Sequence, residues 1–151
     1  MEPVYDEYLR YLTSLAELLE KMITTAKEKG AAARVGDLVR VDACMKQEQV
    51  YSMSLRSMDQ KREKMHKAMG LEGVSLSQVP GHFPEALRGQ AAKTAELALK
   101  RFEMYHSAAN AAKTTMELAL RDIERMFPQD APIPEPHTEE PPPRMKTDFR
   151  A

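Results

Sequence analysis

The chain is 151 residues long, and its composition, with 6% aromatic residues, six glycines and no tryptophan, is typical of an all-α protein. Its 22 basic and 23 acidic residues give a net charge of −1, so no strongly basic domain favours nucleic acid as a partner. A single cysteine excludes an intramolecular disulfide. The N-terminus does not resemble a signal peptide, and no apolar run approaches the roughly 20 residues that span a bilayer. We therefore expect a cytoplasmic protein without membrane insertion.

Residues 4–29 are predicted to form the first helix. Apolar residues recur there in alternating steps of three and four, as on the contact face of a coiled coil. They are Tyr5, Tyr8, Leu12, Leu15, Leu19, Met22 and Ala26. Gly30 and Gly36 bracket a short stretch that we interpret as a turn. So short a connection predicts that the first two helices are antiparallel neighbours.

Residues 37–69 are predicted to form the second helix, with Asp37 placed to cap its first turn and Gly70 placed to end it. Its contact face consists of Cys44, Glu48, Tyr51, Leu55, Met58, Arg62, Met65 and Met69. We expect this helix to contact both of the others through that face. Glu48 and Arg62 interrupt the apolar pattern, and each is either a member of a buried ion pair or a long side chain that reaches solvent at a loosely packed edge.

A segment rich in proline and glycine, residues 72–84, precedes a third helix predicted at 84–127. Its contact face changes phase once, as at a stutter in a coiled coil. The face consists of Leu87, Ala91, Thr94 and Ala98, followed by Phe102, Tyr105, Ala109, Ala112, Met116, Ala119, Ile123 and Met126. This helix would reach on the order of 60 Å, longer than either neighbour, so part of it is expected to overhang or bend.

Residues 113–127 carry more large apolar side chains than one contact face requires. The candidates for partner binding are Met116, Leu120, Ile123, Met126 and Phe127. Their spacing suits recognition of an apolar helix, and methionine suits surfaces that accept varied apolar partners.

Residues 128–151 contain seven of the ten prolines and several acidic residues, so we expect this tail to be disordered in isolation. Its isolated apolar side chains, Ile133, Met145 and Phe149, could still anchor to another surface. The chain is thus divided into a three-helix domain, residues 1–127, and a tail, residues 128–151.

None of the spacings that mark nucleotide, metal or nucleophile sites occurs in this sequence, so we expect no cofactor, no metal and no catalytic residue. Cys44 is interpreted as a buried thiol, because the redox or nucleophilic alternative lacks an activating histidine. The basic stretch at residues 56–67 is interleaved with Asp59 and Glu63. We interpret it as a solvated face that compensates the helix dipole, with an anion or partner site as the alternative.

Residues 8–127 resemble the flagellar type III export chaperones of the FlgN type. Part of the resemblance lies in the leucine-rich first helix, and part lies in Gly36, Asp37 and Leu38 at the start of the second helix. The resemblance also lies in the sequence Lys46, Gln47, Glu48, in the basic stretch before the helix end at Gly70 and Leu71, and in the final segment LALRDIERMF.

The resemblance implies a chaperone and not an enzyme. Such a protein binds hook-filament junction (hook-associated) subunits through its C-terminal helix, prevents their premature assembly and delivers them to the flagellar type III export apparatus, without consuming ATP itself. The helical pattern alone leaves an alternative open. The chain could be a structural coiled-coil scaffold or homo-oligomeric adaptor with no export role, in which copies pair with one another, for example as a homodimer.

Overall fold

The computed structural model describes residues 2–126, of which 89% are helical and none lies in a strand. Helix α1 spans Glu2–Arg34, α2 spans Leu38–Met69 and α3 spans Glu85–Met126. A short 3-10 helix, Val79–His82, lies in the connection before α3. The predicted all-α bundle of three helices is confirmed. Phe127 and the predicted disordered tail, residues 128–151, lie outside the described residues.

The first connection is shorter than predicted, because α1 continues through Gly30 to Arg34. The predicted turn at residues 30–36 is therefore wrong for residues 30–34, which are helical. Residues 31–33 are alanines, the strongest helix formers, and a Cβ atom at Gly30 would stand 3.5 Å from the Cα and Cβ atoms of Ala112. Gly30 thus lies inside α1, where it packs directly against Ala112 of α3.

The turn itself is formed by the three residues between Arg34 and Leu38. Gly36 adopts a φ of 74°, in the left-handed region that glycine tolerates. The side chain of Asp37 accepts a hydrogen bond of 3.1 Å from the backbone N–H of Arg40, as predicted for the N-cap of α2. So tight a turn makes α1 and α2 antiparallel.

Helix α1, not α2, is the central helix of the bundle. It packs against both α2 and α3, whereas no Cα atom of α2 lies within 8 Å of a Cα atom of α3 in the described part of the chain. Close backbone packing of the second helix is therefore present with α1 and absent with α3 among the described residues. The approach of α1 to α3 is close because α3 buries alanines there, namely Ala91, Ala95, Ala98 and Ala112.

A second face of α1, beside the predicted contact face, is lined by apolar or small residues. On the side of α3, Leu9, Ala16, Ile23 and Gly30 follow one another every seven residues and are all buried. Arg101 of α3 donates a hydrogen bond of 2.9 Å to the carbonyl oxygen of Ala16. Because Gly30 likewise faces Ala112, residue numbers on both helices increase in the same direction, and α1 and α3 are parallel.

Helix α2 uses the contact face that its sequence predicts. Cys44, Leu55 and Met65 are buried, and Tyr51, Met58 and Met69 are half-buried. Both polar members of this face form half-buried ion pairs. Glu48 pairs with Lys29 of α1 at 2.6 Å, with the side chains only 23% and 16% exposed. Arg62 pairs with Asp59 of its own helix at 2.8 Å, with the side chains 24% and 27% exposed.

A polar contact is buried at the end of the bundle where α2 ends and α3 begins. The Tyr8 hydroxyl lies 2.8 Å from Nε2 of His66, and both side chains are buried. Phe83, from the connection before α3, packs edge-on against Tyr8 with ring centroids 5.9 Å apart. Burial lowers the pKa of His66, and the charge of Arg62 acts in the same direction. His66 is therefore neutral, and its ring nitrogen shares a hydrogen bond with the Tyr8 hydroxyl.

This contact predicts a dependence of stability on pH. The folded pKa of His66 lies below that of an unfolded histidine, so the free energy of unfolding should decrease as the pH falls below about 6.5, where the unfolded chain gains a proton that the fold resists. Urea denaturation between about pH 7.5 and 5.5 should show this decrease in the wild type and a much smaller one in His66→Gln. His106→Gln, at an exposed position, should behave like the wild type. An equal decrease in wild type and His66→Gln would contradict the assignment.

The packing of α2 gives a second prediction. Leu55 is 8% exposed on the contact face, whereas Met53 is 71% exposed. Leu55→Asp would bury an unpaired charge and should cost several kcal/mol, about 3 or more. Met53→Asp, in the same helix, should change stability by no more than about 0.5 kcal/mol. Thermal melts followed by circular dichroism measure both, and equal melting temperatures for the two variants would mean that Leu55 is not in the core.

Candidate functional site

The C-terminal part of α3 projects beyond the rest of the bundle. Helix α3 has 42 residues and α1 has 33, which correspond to about 63 and 50 Å. The two helices start near the same end, and Gly30 faces Ala112. Arg34, the last residue of α1, therefore lies level with the turn of α3 that contains Met116, and about ten residues of α3 continue past it.

The predicted partner-binding residues fall into two environments. Met116 is half-buried and packs against a small cluster formed by Ala32, Ala33 and Val41 beside the α1–α2 turn. Leu120, Ile123 and Met126 are 57%, 40% and 81% exposed. Phe127, the fifth predicted residue, lies outside the described part of the chain. Met116 thus belongs to the core at the base of the projecting segment, and the next three form a surface.

The exposed residues of this segment continue the face by which α3 packs. Positions four and seven residues after Met116 lie on the same face of a helix, and these positions are Leu120 and Ile123. Up to Ala112 that face is buried against α1, and beyond Met116 it is uncovered. An apolar helix that docked here would therefore extend the existing core.

A second group of exposed apolar residues surrounds the α1–α2 turn. Val35, Leu38 and Val39 are 77%, 67% and 83% exposed. These residues were not predicted as site residues. The available signal was three large apolar residues around a turn that contains glycine and aspartate, where polar residues are usual. This group flanks the same small cluster that Met116 joins, so it lies at the same end of the bundle as the projecting part of α3.

Exposed large apolar side chains are concentrated at this end, which we name the apolar end. Seven of the twelve such side chains in the described chain belong to it. They are Val35, Leu38, Val39, Leu118, Leu120, Ile123 and Met126. A concentration of this kind, unlike scattered single residues, is typical of surfaces that bind other molecules.

Charge does not define the apolar end. The exposed charged residues among residues 113–126 are Lys113, Glu117, Arg121, Asp122, Glu124 and Arg125, three of each sign. Acidic and basic residues also alternate after the turn, at Asp37, Arg40 and Asp42. A surface of mixed charge around exposed apolar side chains selects its partner mainly through the pattern of apolar contacts.

Residues 2–126 show no arrangement for thiol chemistry or metal binding. Cys44 is buried, and burial raises the pKa of its thiol, so the reactive thiolate is scarce at neutral pH. Those residues contain no group of three or more histidine, cysteine, aspartate and glutamate side chains placed to hold a metal ion. None of their helices is both long and apolar enough to cross a bilayer.

The basic stretch of α2 lies beside a polar cleft between α2 and the connection that follows it. Lys64 and Lys67 line this cleft together with Glu63 and Glu72. Farther up the helix, Lys61 lies 4.0 Å from Glu7 of α1. Cations and carboxylates are thus interleaved here, which agrees with the interpretation of a solvated face.

Comparison of the chain with family models, with curated proteins and with solved structures finds no match. The fold and the surface therefore define the class by themselves. The described chain is a bundle of three long helices that presents an uncovered apolar helix face at one end.

Proposed function

We propose that the protein is a cytoplasmic export chaperone that binds hook-filament junction subunits, keeps them unassembled and delivers them to the flagellar type III export apparatus. The observation that carries the proposal is the uncovered face of the projecting part of α3, with Leu120 and Ile123 at 57% and 40% exposure. The resemblance of residues 8–127 to FlgN-type chaperones supports the choice of client. The proposed role is binding, without a catalytic step or a cofactor.

The physical requirement for such a chaperone is a complementary helix surface. A subunit whose terminal helices pair only after assembly exposes apolar stripes beforehand, and these stripes would otherwise associate with one another. A client helix placed against Leu120 and Ile123 would bury its stripe where the α3 face is uncovered. Met126, at 81% exposure, adds a flexible side chain that adapts to different clients.

The alternative, a self-associating coiled-coil scaffold, is favoured by one further observation. Val39, Val50 and Met53 are 83%, 55% and 71% exposed, and their spacing places them on one outer line of α2. A second copy of the chain could cover this line. Sedimentation at micromolar concentration without a client distinguishes the two functions, because a scaffold self-associates and a client-free chaperone need not.

The chaperone proposal predicts the effect of removing its apolar face. Leu120→Asp with Ile123→Asp should abolish binding to the terminal helices of a hook-filament junction protein, measured by calorimetric titration. Both side chains are exposed, so helicity should be largely retained in the double variant.

A matched control is Val50→Asp with Met53→Asp, a pair of exposed apolar residues on α2. This control should bind the client as the wild type does. Absence of binding by the wild type, or unchanged affinity in the Leu120 and Ile123 variant, would contradict the proposal.

A further inference from the structure

A groove runs between α1 and α3, and α2 contributes no residue to its lining. Its volume is about 470 Å³, and its floor is made of small residues of both helices, including Ala26, Gly30, Ala108 and Ala112. Ile23 and Met104 form its far end, whereas Thr115 lies at the end nearest the projecting part of α3. The groove is thus a shallow apolar channel that opens towards the apolar end.

Two cations lie on the rim of this groove. Lys27 and Arg34 both line it and are both exposed, and no acidic residue lines it. Neither cation forms an ion pair with another residue in the range 2–126. The two positions are seven residues apart on α1, which is two turns or about 10.5 Å. The groove therefore combines an apolar floor with two unpaired positive charges at a fixed spacing.

A segment of the same chain has the complementary composition. Residues 128–140 contain four acidic residues, Asp130, Glu135, Glu139 and Glu140, and no lysine or arginine. Four prolines also occur there, and proline-rich chains extend by about 3.1 Å per residue. Glu135 and Glu139 are then about 12 Å apart, close to the spacing of the two rim cations.

The length of the chain matches the position of the groove. Measured back from Phe127 along α3, Thr115 lies at about 18 Å and Ser107 at about 30 Å. In an extended chain measured forward from Phe127, Glu135 lies at about 25 Å and Glu139 at about 37 Å. At each position the extended chain is about 7 Å longer than the distance back along α3, and this extra length allows the chain to reverse its direction.

We propose that residues 128–140 fold back along α3 and bind in the groove between α1 and α3. In this arrangement Glu135 pairs with Arg34 and Glu139 pairs with Lys27. Because the segment is tethered next to the groove, its effective concentration there is on the order of millimolar, so even a weak contact is populated. The groove lies beside the proposed client surface and shares no residue with it, and the test needs no client.

The test uses the full chain with a nitroxide label at position 138, introduced as Thr138→Cys in a Cys44→Ala background. The methyl signals of Ala31, Ala108 and Ala111, which line the groove, should be broadened several-fold more than those of Ala68 and Ala86, which are exposed at the opposite end of the bundle. Circular dichroism confirms that each labelled variant is folded.

Charge reversal identifies the contacts. Lys27→Glu with Arg34→Glu should abolish the selective broadening, and adding Glu135→Lys with Glu139→Lys should restore it, because the pairs are then exchanged. Equal broadening at all five alanines, or no rescue by the exchanged pairs, would overturn the proposal. So would broadening that arises only between labelled and unlabelled molecules in a mixed sample, since the occupant would then be a second copy of the chain.

Discussion

The burial of α1 on two sides is the constraint on which the rest of the structure depends. A helix with one apolar face can pack on one neighbour, whereas α1 presents buried residues to α2 and to α3 at once. The outer helices then need not approach each other through their backbones. On one side α1 holds α2 through the Lys29 and Glu48 ion pair and the Tyr8 and His66 contact. On the other side it holds α3 through small residues that permit close approach.

The buried apolar surface that stabilises the fold is distributed unevenly along the bundle. The largest fully buried side chains are Tyr8, Phe83, Leu12, Leu19 and Val79, and most of them lie towards the end where α2 ends and α3 begins. At the other end the core narrows to Ala32, Ala33, Val41 and the half-buried Met116. Because apolar stabilisation scales with the area buried, the first end is the more stable one. The apolar end therefore has weak internal packing and exposed side chains together, as expected of a binding surface.

Much of this fold follows from local sequence patterns. The contact faces of α1 and α2, the Asp37 cap and the Gly70 stop depend on residues near one another in the chain, and the structure has each of them as predicted. The central position of α1 was not predicted, because it depends on a second face of that helix. The repeat of Leu9, Ala16 and Ile23 on α1 was the available signal. Gly30 was assigned to the turn because its contact with Ala112 involves a residue 82 positions away, which no local pattern reveals.

The candidate site was predicted in part for the same reason. Surplus apolar residues near the end of the third helix were visible in the sequence, but whether each is buried depends on where α1 ends. Met116 lies level with the last turn of α1 and is half-buried, whereas Leu120 lies one turn farther and is exposed. The exposed residues of the α1–α2 turn join the site only because parallel packing brings that turn to the same end.

Amide hydrogen exchange along α3 in the free protein tests the central claim most directly. If α1 supports α3 only as far as Met116, amides near Ala91, Ala95 and Ala98 should exchange slowest, and those of residues 117–126 should exchange much faster, because a helix end without tertiary contacts is marginally stable. Equal protection along all of α3 at low protein concentration would contradict this account, since it would require another part of the chain to cover the projecting segment.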